Sequence, residues 1–303
     1  MQQAVRSADT ADSEPYFARP VAIELPAVQS VPLVFASPHS GRDYSKAFLA
    51  QTQLDDLTLR RSEDSFIDQI FAGVRTCGAP LIHALFPRAY VDPNREPYEL
   101  DPEMYVDALP PFANTTSPLV AAGLGTIPRV VATGSAIYKE KLSIGEAFRR
   151  VNGCHLPYHR ALTGLIEQTR ARFGFCIVVD CHSMPSSDLP AWQRTTHLAA
   201  DIVLGDRFAS SCAAIVTETA QATLKRLGYA VVRNVPYAGG FTTRRYGRPE
   251  TGVHAIQIEI SRALYMDEAR IRPLPGLKAV SENMLAFARA LGALAPEDLL
   301  PRT

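Results

Sequence analysis

The chain has 303 residues, 47% hydrophobic and 8% aromatic, enough to bury a large core as one elaborate α/β domain or two small ones. Lys plus Arg and Asp plus Glu number 31 each, so no global field recruits nucleic acid or anionic lipid, and a small-molecule partner is expected. The five cysteines lack C-x-x-C spacing and lie mostly in apolar runs, Met1 to Glu14 lacks the apolar core of a leader, and no apolar run is long enough to span a membrane; a soluble, cytoplasmic protein is expected.

Residues 1–20 are small and polar and end at Pro20, which predicts a loosely packed tail ahead of a single catalytic α/β domain over 21–303. Val31 to Ala36 is an apolar, β-branched strand that stops at Pro38. Ser62 is placed to cap a helix whose apolar positions Phe66, Ile67, Ile70, Phe71 and Val74 recur at three and four, with Gly78 beyond its end. Pro80 to Phe86 reads as a strand. A Pro-rich middle, from Pro93 to Pro128, resists regular assignment, and a loop region of that length inside a compact domain is usually functional. Asn152 and Pro157 open a helix that ends at Gly174. Phe175 to Val179 is a continuous apolar strand, as expected of one buried on both faces of a parallel sheet. Phe208 to Leu227 reads as a helix stopped by Gly228, followed by strands Tyr229 to Val232 and His254 to Ser261 and a closing helix from Leu277 to Leu291. The alternation predicts an α/β fold, a mixed but largely parallel twisted sheet with helices on both faces.

In such sheets ligands bind beyond the carboxyl ends of the strands. Ser37-Pro38-His39-Ser40-Gly41 and Asp180-Cys181-His182-Ser183-Met184 each put an imidazole at or just past a strand's last apolar position. A catalytic zinc takes about three protein ligands from His, Asp and Glu and leaves one position for water. His39 and His182 supply two. Arg42 stands where an H-x-x-E motif would place the acid, and the acids nearest a helix start are Glu63 and Asp64. On the strand His254 to Ser261, alternation puts Ile256, Ile258 and Ile260 on one face and Gln257, Glu259 and Ser261 on the other. An unpaired glutamate there would be costly to bury, so Glu259 is either salt-bridged or functional. A carboxylate beside a metal suits the proton transfers of amide hydrolysis.

Ser-Pro-His39-Ser-Gly-Arg42, Arg61-Ser-Glu-Asp64, Val91-Asp-Pro-Asn94-Arg95, Asp180-Cys-His182, Tyr237-Ala-Gly-Gly-Phe-Thr-Thr-Arg244-Arg-Tyr246 and Val253-His-Ala-Ile-Gln-Ile-Glu259 together resemble the N-formylglutamate amidohydrolase family, itself distantly similar to zinc carboxypeptidases and aspartoacylase. The resemblance implies a zinc-carboxypeptidase-like (phosphorylase/hydrolase-like) fold and hydrolysis of N-formyl-L-glutamate to formate and L-glutamate, a step of histidine breakdown. It implies Zn2+ or another divalent metal on His39, Asp64 and His182, with Glu63 the rival acid, and Glu259 as general base. For a dicarboxylate substrate it implies binding by Asn94 and Arg95, while Arg244 and Tyr246 sit on a loop after Gly239-Gly240 that is expected to close over the ligand. Two other readings stay open: a deacylase of another N-acyl amino acid or a carboxypeptidase-like hydrolase, and a non-catalytic metal- or ligand-binding protein of the same fold. His155 and His159, spaced i and i+4 without an intervening acid, read as structural. Cys181 points away from His182 on its strand, and Gly123-Leu-Gly125 lacks the third glycine of a dinucleotide loop.

Overall fold

The computed structural model describes residues 17–186 and 200–301. Its main sheet has seven strands, β1 (Val21–Glu24), β2 (Leu33–Ser37), β3 (Leu81–Ala84), β4 (Cys176–Met184), β5 (Ile202–Gly205), β6 (Val231–Arg233) and β7 (Val253–Ser261), in the order β1-β3-β2-β4-β7-β5-β6. The central strands β3, β2, β4 and β7 run parallel; β1 pairs antiparallel with β3, and β5 with β7. The helices are α1 (Lys46–Gln51), α2 (Asp56–Arg60), α3 (Ile67–Phe71), α4 (Pro118–Ala121), α5 (Ile144–Arg150), α6 (Leu156–Phe173), α7 (Ala214–Arg226), α8 (Phe241–Tyr246) and α9 (Gly276–Gly292).

Strand alternation divides the core between the sheet's two faces. Leu33, Phe35, Leu81, Ile177, Val179, Ile256 and Ile258 meet α3, α7 and α9 on one face. Val34, Ala36, Ile82, Val178 and Ala255 meet α6 on the other, through Tyr158, Leu162 and Ile166. Those helix positions recur at four residues, which keeps them on one stripe. Beyond the α6 contact the same face turns polar: Asp180 and His182 follow Val178 on β4, and Gln257 and Glu259 follow Ala255 on β7. The sheet thus builds its core and its chemistry from one alternating pattern.

Ahead of β1, Phe17 is buried against the rings of Phe86 and Tyr90, and Pro20 accepts from the Leu85 amide. Several local expectations are corrected. Ser62 caps no helix. Residues 62–65 form a turn held by the Ser65 hydroxyl on Glu63 and by the Asp64 amide on the His39 carbonyl, and Phe66, at a φ of 69°, starts α3. The helix expected from Asn152 starts at Ser143, whose hydroxyl accepts from the Glu146 amide. A π turn over Val151–His155 joins α5 to α6, and Pro157 follows it at the start of α6. The expected helix at Phe208 starts only at Ala214, because Arg207, Phe208 and Ala209 all have positive φ. Strand β4 runs to Met184, so His182 stands on the strand, paired with β7 to its end.

Candidate metal centre and active site

The functional side chains come from three strand ends and one turn. His39 follows β2, Asp64 sits in the 62–66 turn, and His182 and Glu259 are direct register partners on β4 and β7. Parallel partners on the same face lie side by side, so the ladder itself sets His182 beside Glu259. Asp64 is drawn in by its amide bond to the His39 carbonyl (2.9 Å). Its Oδ2 lies 2.9 Å from His182 Nδ1 and 3.3 Å from His39 Nδ1. One ligand atom from each of His39, Asp64 and His182 falls within 4.8 Å of the others, and all three residues are buried.

Each imidazole is held from behind. His39 Nε2 meets Asp92 Oδ1 at 2.7 Å, and His182 Nε2 lies 3.1 Å from Asp180 Oδ2. Asp64 Oδ1 accepts from Ser183 Oγ (3.0 Å) and Arg262 Nη2 (3.2 Å). Carboxylate-backed histidines and an anchored acid are the support that metal ligands require, and His39 Nδ1 is buried without a hydrogen-bond partner. The group could hold a divalent cation. Burial opposes charge on Asp64 and Asp92, yet the histidines outweigh it at Asp64, and His39 with Arg95 and Arg88 does so at Asp92; both carboxylates are held well below the usual range. Burial, reinforced by Asp64 and Asp180 and opposed by His182 and Arg88, pushes Glu259 up to about 8. Gln257 Nε2 donates to Glu259 Oε1 (2.8 Å).

Glu63 faces elsewhere. Its carboxylate accepts from Tyr44 Oη (2.8 Å), Arg60 Nε (3.1 Å) and Ser65 Oγ (2.8 Å), so the acid beside the histidines is Asp64. Above the group opens a cleft of about 460 Å³ lined by His39, Asp64, His182, Glu259 and the arginines 61, 88, 95 and 262.

Residues 31–266 match the model of the N-formylglutamate amidohydrolase family. The chain belongs to that family. N-formylglutamate deformylases from Pseudomonas aeruginosa and Pseudomonas putida are 28% and 29% identical to it, each alignment covering 78% of this chain and 83% of the relative. The crystal structure of an N-formylglutamate amidohydrolase from Ralstonia eutropha JMP134 superposes with a TM-score of 0.81 at 33% identity, covering 89% of this chain and 97% of that one. A gene product of Agrobacterium tumefaciens shares the fold at a TM-score of 0.64 and 18% identity, over 92% of this chain and 96% of its own. As a member of the family the protein is a hydrolase acting on an amide bond.

The four residues expected to bind substrate divide into two pairs. Asn94 and Arg95 line the cleft. Asn94 is engaged at both ends of its amide: Oδ1 accepts from the Thr242 amide (2.8 Å), and Nδ2 lies 3.2 Å from His182 Nε2. Arg95 donates to the carbonyls of Leu124 (2.9 Å) and Asn94 (2.8 Å). Arg244 and Tyr246 are not brought to the cleft, because the segment expected as a loop is helix α8. The helix turns Arg244 outward to Glu96 (2.7 Å) and Tyr246 inward to His159 (2.9 Å). The Pro-rich middle supplies a wall of the cleft, through Leu119, Leu124 and Pro128. Asp180, Gln257, Asp92, Arg88 and Arg262 escaped the sequence reading. The first two carried a usable signal, since each lies two residues from His182 or Glu259 and so shares its face. Arg262 carried none, because only the folded chain brings it to Asp64.

Proposed function

We propose that the protein hydrolyses N-formyl-L-glutamate to formate and L-glutamate as a metal-dependent step of histidine breakdown, in the cytoplasm. The observation that carries this reading is Glu259 standing beside His182 in register, next to the buried His39–Asp64–His182 group, in a chain of this family. His39, Asp64 and His182 would hold the cation; zinc suits two imidazoles and a carboxylate. When bound, such an ion polarises the scissile carbonyl and lowers the pKa of a water to about 7. The chain's own residues then have defined tasks. Glu259 takes the proton from the attacking water and delivers it to the leaving nitrogen, the transfer that a carboxylate beside the metal suits. Gln257, bonded to Glu259 Oε1 and to the Gly240 amide (2.8 Å each), orients the carboxylate. Arg95, lining the cleft beside Asn94, reads a substrate carboxylate. Arg88 joins it, since its hydrogen bond among the described residues runs from Nε alone, to Asp92 (3.0 Å), and leaves its terminal nitrogens for a ligand. Five free cysteines fit a reducing compartment.

The test is formate release from N-formyl-L-glutamate, measured with and without chelator and beside other N-acyl amino acids. Turnover is expected with the formyl substrate, lost on chelation and restored by Zn2+. Turnover confined to a different N-acyl amino acid overturns the substrate; metal binding without turnover on any of them overturns the enzyme.

A further inference from the structure

Arginines 61, 88, 95 and 262 all line the cleft, but their donors are spent very unequally. Arg262 uses every nitrogen on the protein: Nε on Ser183 Oγ (3.1 Å), Nη1 on the Arg61 carbonyl (3.3 Å), and Nη2 on the Glu63 carbonyl (2.7 Å) and Asp64. Arg95 commits Nε and Nη1 to carbonyls, and its Nη2 lies 3.7 Å from Asp92 Oδ2. Arg88 is tied at Nε alone. Of Arg61 only the backbone is engaged among the described residues: its amide donates to the Thr58 carbonyl (3.3 Å) and its carbonyl accepts from Arg262. Glu63 and Glu268 share a neighbouring groove with Arg61, yet both are committed elsewhere. Glu63 holds Tyr44, Arg60 and Ser65, and Glu268 accepts from the Ser186 amide (3.2 Å).

This uncommitted head stands on a fixed base. Arg61 closes α2, Ser62 Oγ accepts from the Ala132 amide (3.3 Å), and Arg262 grips the carbonyls of both Arg61 and Glu63. An anchored backbone that carries a planar, always charged fork to a cleft wall suits bidentate binding of a carboxylate. The substrate supplies the complement. The formyl group adds no charge, so both carboxylates of N-formyl-L-glutamate belong to the leaving amine. The α-carboxylate sits on the carbon that bears the scissile nitrogen, and the γ-carboxylate lies two methylenes further out. Arg88 is bonded to Asp92, which itself backs His39, so its remaining nitrogens stay close to the metal group. Arg61 has no such tie and is exposed. The near carboxylate therefore falls to Arg88 with Arg95, and the far one to Arg61.

We infer that Arg61 is a specificity-determining residue, which reads the γ-carboxylate of the substrate and so selects a dicarboxylate over an uncharged amino acid of the same length. The inference rests on the reading of the substrate as N-formyl-L-glutamate.

The experiment measures kcat and KM, with Zn2+ present, on N-formyl-L-glutamate and N-formyl-L-glutamine, which differ only in the far group. Wild type is compared with Arg61→Ala, Arg61→Lys and Arg88→Ala. Wild type should prefer the glutamate substrate in kcat/KM, and Arg61→Ala should cut that preference about 10- to 100-fold, the loss expected of one charge-assisted contact. The loss should fall mainly on KM, since the contact is made before and during the reaction alike. Arg61→Lys keeps the charge without the fork and should recover part of the preference. Arg88→Ala should weaken both substrates by a similar factor, because it meets the carboxylate they share. An Arg61→Ala preference within about 2-fold of wild type overturns the inference, whether both rates hold or both fall together as a merely structural role would have them. A wild type that turns over neither substrate overturns the proposed function instead, and calorimetry then decides on Arg61. L-glutamate should bind the protein more tightly than L-glutamine, by a margin that Arg61→Ala removes. The two bound alike by wild type, or a margin that survives in Arg61→Ala, overturns the inference.

Discussion

At Glu259 a carboxylate occupies a strand position whose sequence neighbours, Ile258 and Ile260, are wholly buried in the core of the opposite face. Gln257 restrains it, and burial with the nearby Asp64 and Asp180 raises it against the pull of His182 and Arg88; under the proposed function it is the proton carrier. Glu259→Gln keeps the shape and removes the proton site. It should lower kcat by about 10²- to 10⁴-fold while zinc binding stays intact, and full turnover in this variant would refute the assigned role. Asp64 and Glu63 make a second test, because neighbours in sequence face different partners. Asp64→Asn should weaken zinc binding by about 100-fold or more; Glu63→Gln should leave it within about 3-fold but destabilise the protein by breaking the contacts with Tyr44, Arg60 and Ser65. Equal losses in the two chelator titrations would reassign the ligand. At this scale the two histidines and Glu259 were legible in the sequence, since strand ends and a misplaced acid are local signals. Asp64 over Glu63 was not, because the choice depends on a turn closed by the His39 carbonyl.

Among the elements, the α5–α6 span ties the far wall of the cleft to the core. Ser143 caps it, and a cap of this kind is worth about 1 kcal/mol, so Ser143→Ala should lower stability by that amount in urea unfolding. Inside α5, burial raises the Glu146 carboxyl, but Arg150 and then Arg149 outweigh it and hold it below its ordinary value. A depressed carboxylate stabilises the fold fully above its unfolded pKa, about 4.3, and the benefit disappears as pH falls through the lower folded value. The stability gap between wild type and Glu146→Gln should therefore be widest near pH 7 and close under acid; a gap that widened below about pH 4 would contradict the ion pairing. Strands β2, β3, β4, β6 and β7, the stop at Gly174 and helix α9 were readable from periodicity and glycine. The π turn, helix α8 and strands β1 and β5 were not. The π turn lets a proline follow without ending the helix, α8 has only six residues, and β5 is a four-residue run with too little periodicity to separate from coil.

For the whole molecule, the face split separates stability from chemistry. Phe287 on α9 lies in the core behind the sheet, away from the cleft. Phe287→Ala should cost about 3–5 kcal/mol of stability while the folded fraction keeps its kcat and zinc affinity. The metal group works in the opposite sense, since it joins three segments distant in sequence, at His39, Asp64 and His182. Zinc at about a thousandfold excess over its Kd should add about 4 kcal/mol of apparent stability, read as a higher melting temperature that chelator abolishes. A melting curve indifferent to chelator would argue that these residues hold no cation. The α/β class and the polar strand ends could be read from alternation alone. The strand order could not, because β5 enters antiparallel beside β7 through pairings that no local pattern encodes.

The ladder that sets His182 against Glu259 has a further consequence. Side chains on a strand alternate with a period of two, so position along β4 and β7 is counted in whole steps. One residue gained or lost within β7 ahead of Glu259 would bury the acid among the isoleucines and expose Ile258 or Ile260 to the cleft. Two would restore the face but displace the carboxylate by about 6.6 Å, beyond reach of a shared water. These strands are therefore closed to small changes in length, whereas the loops that wall the cleft can lengthen, shorten or be exchanged without disturbing the count. Substrate preference can drift in this architecture while the hydrolytic step is held to an integer.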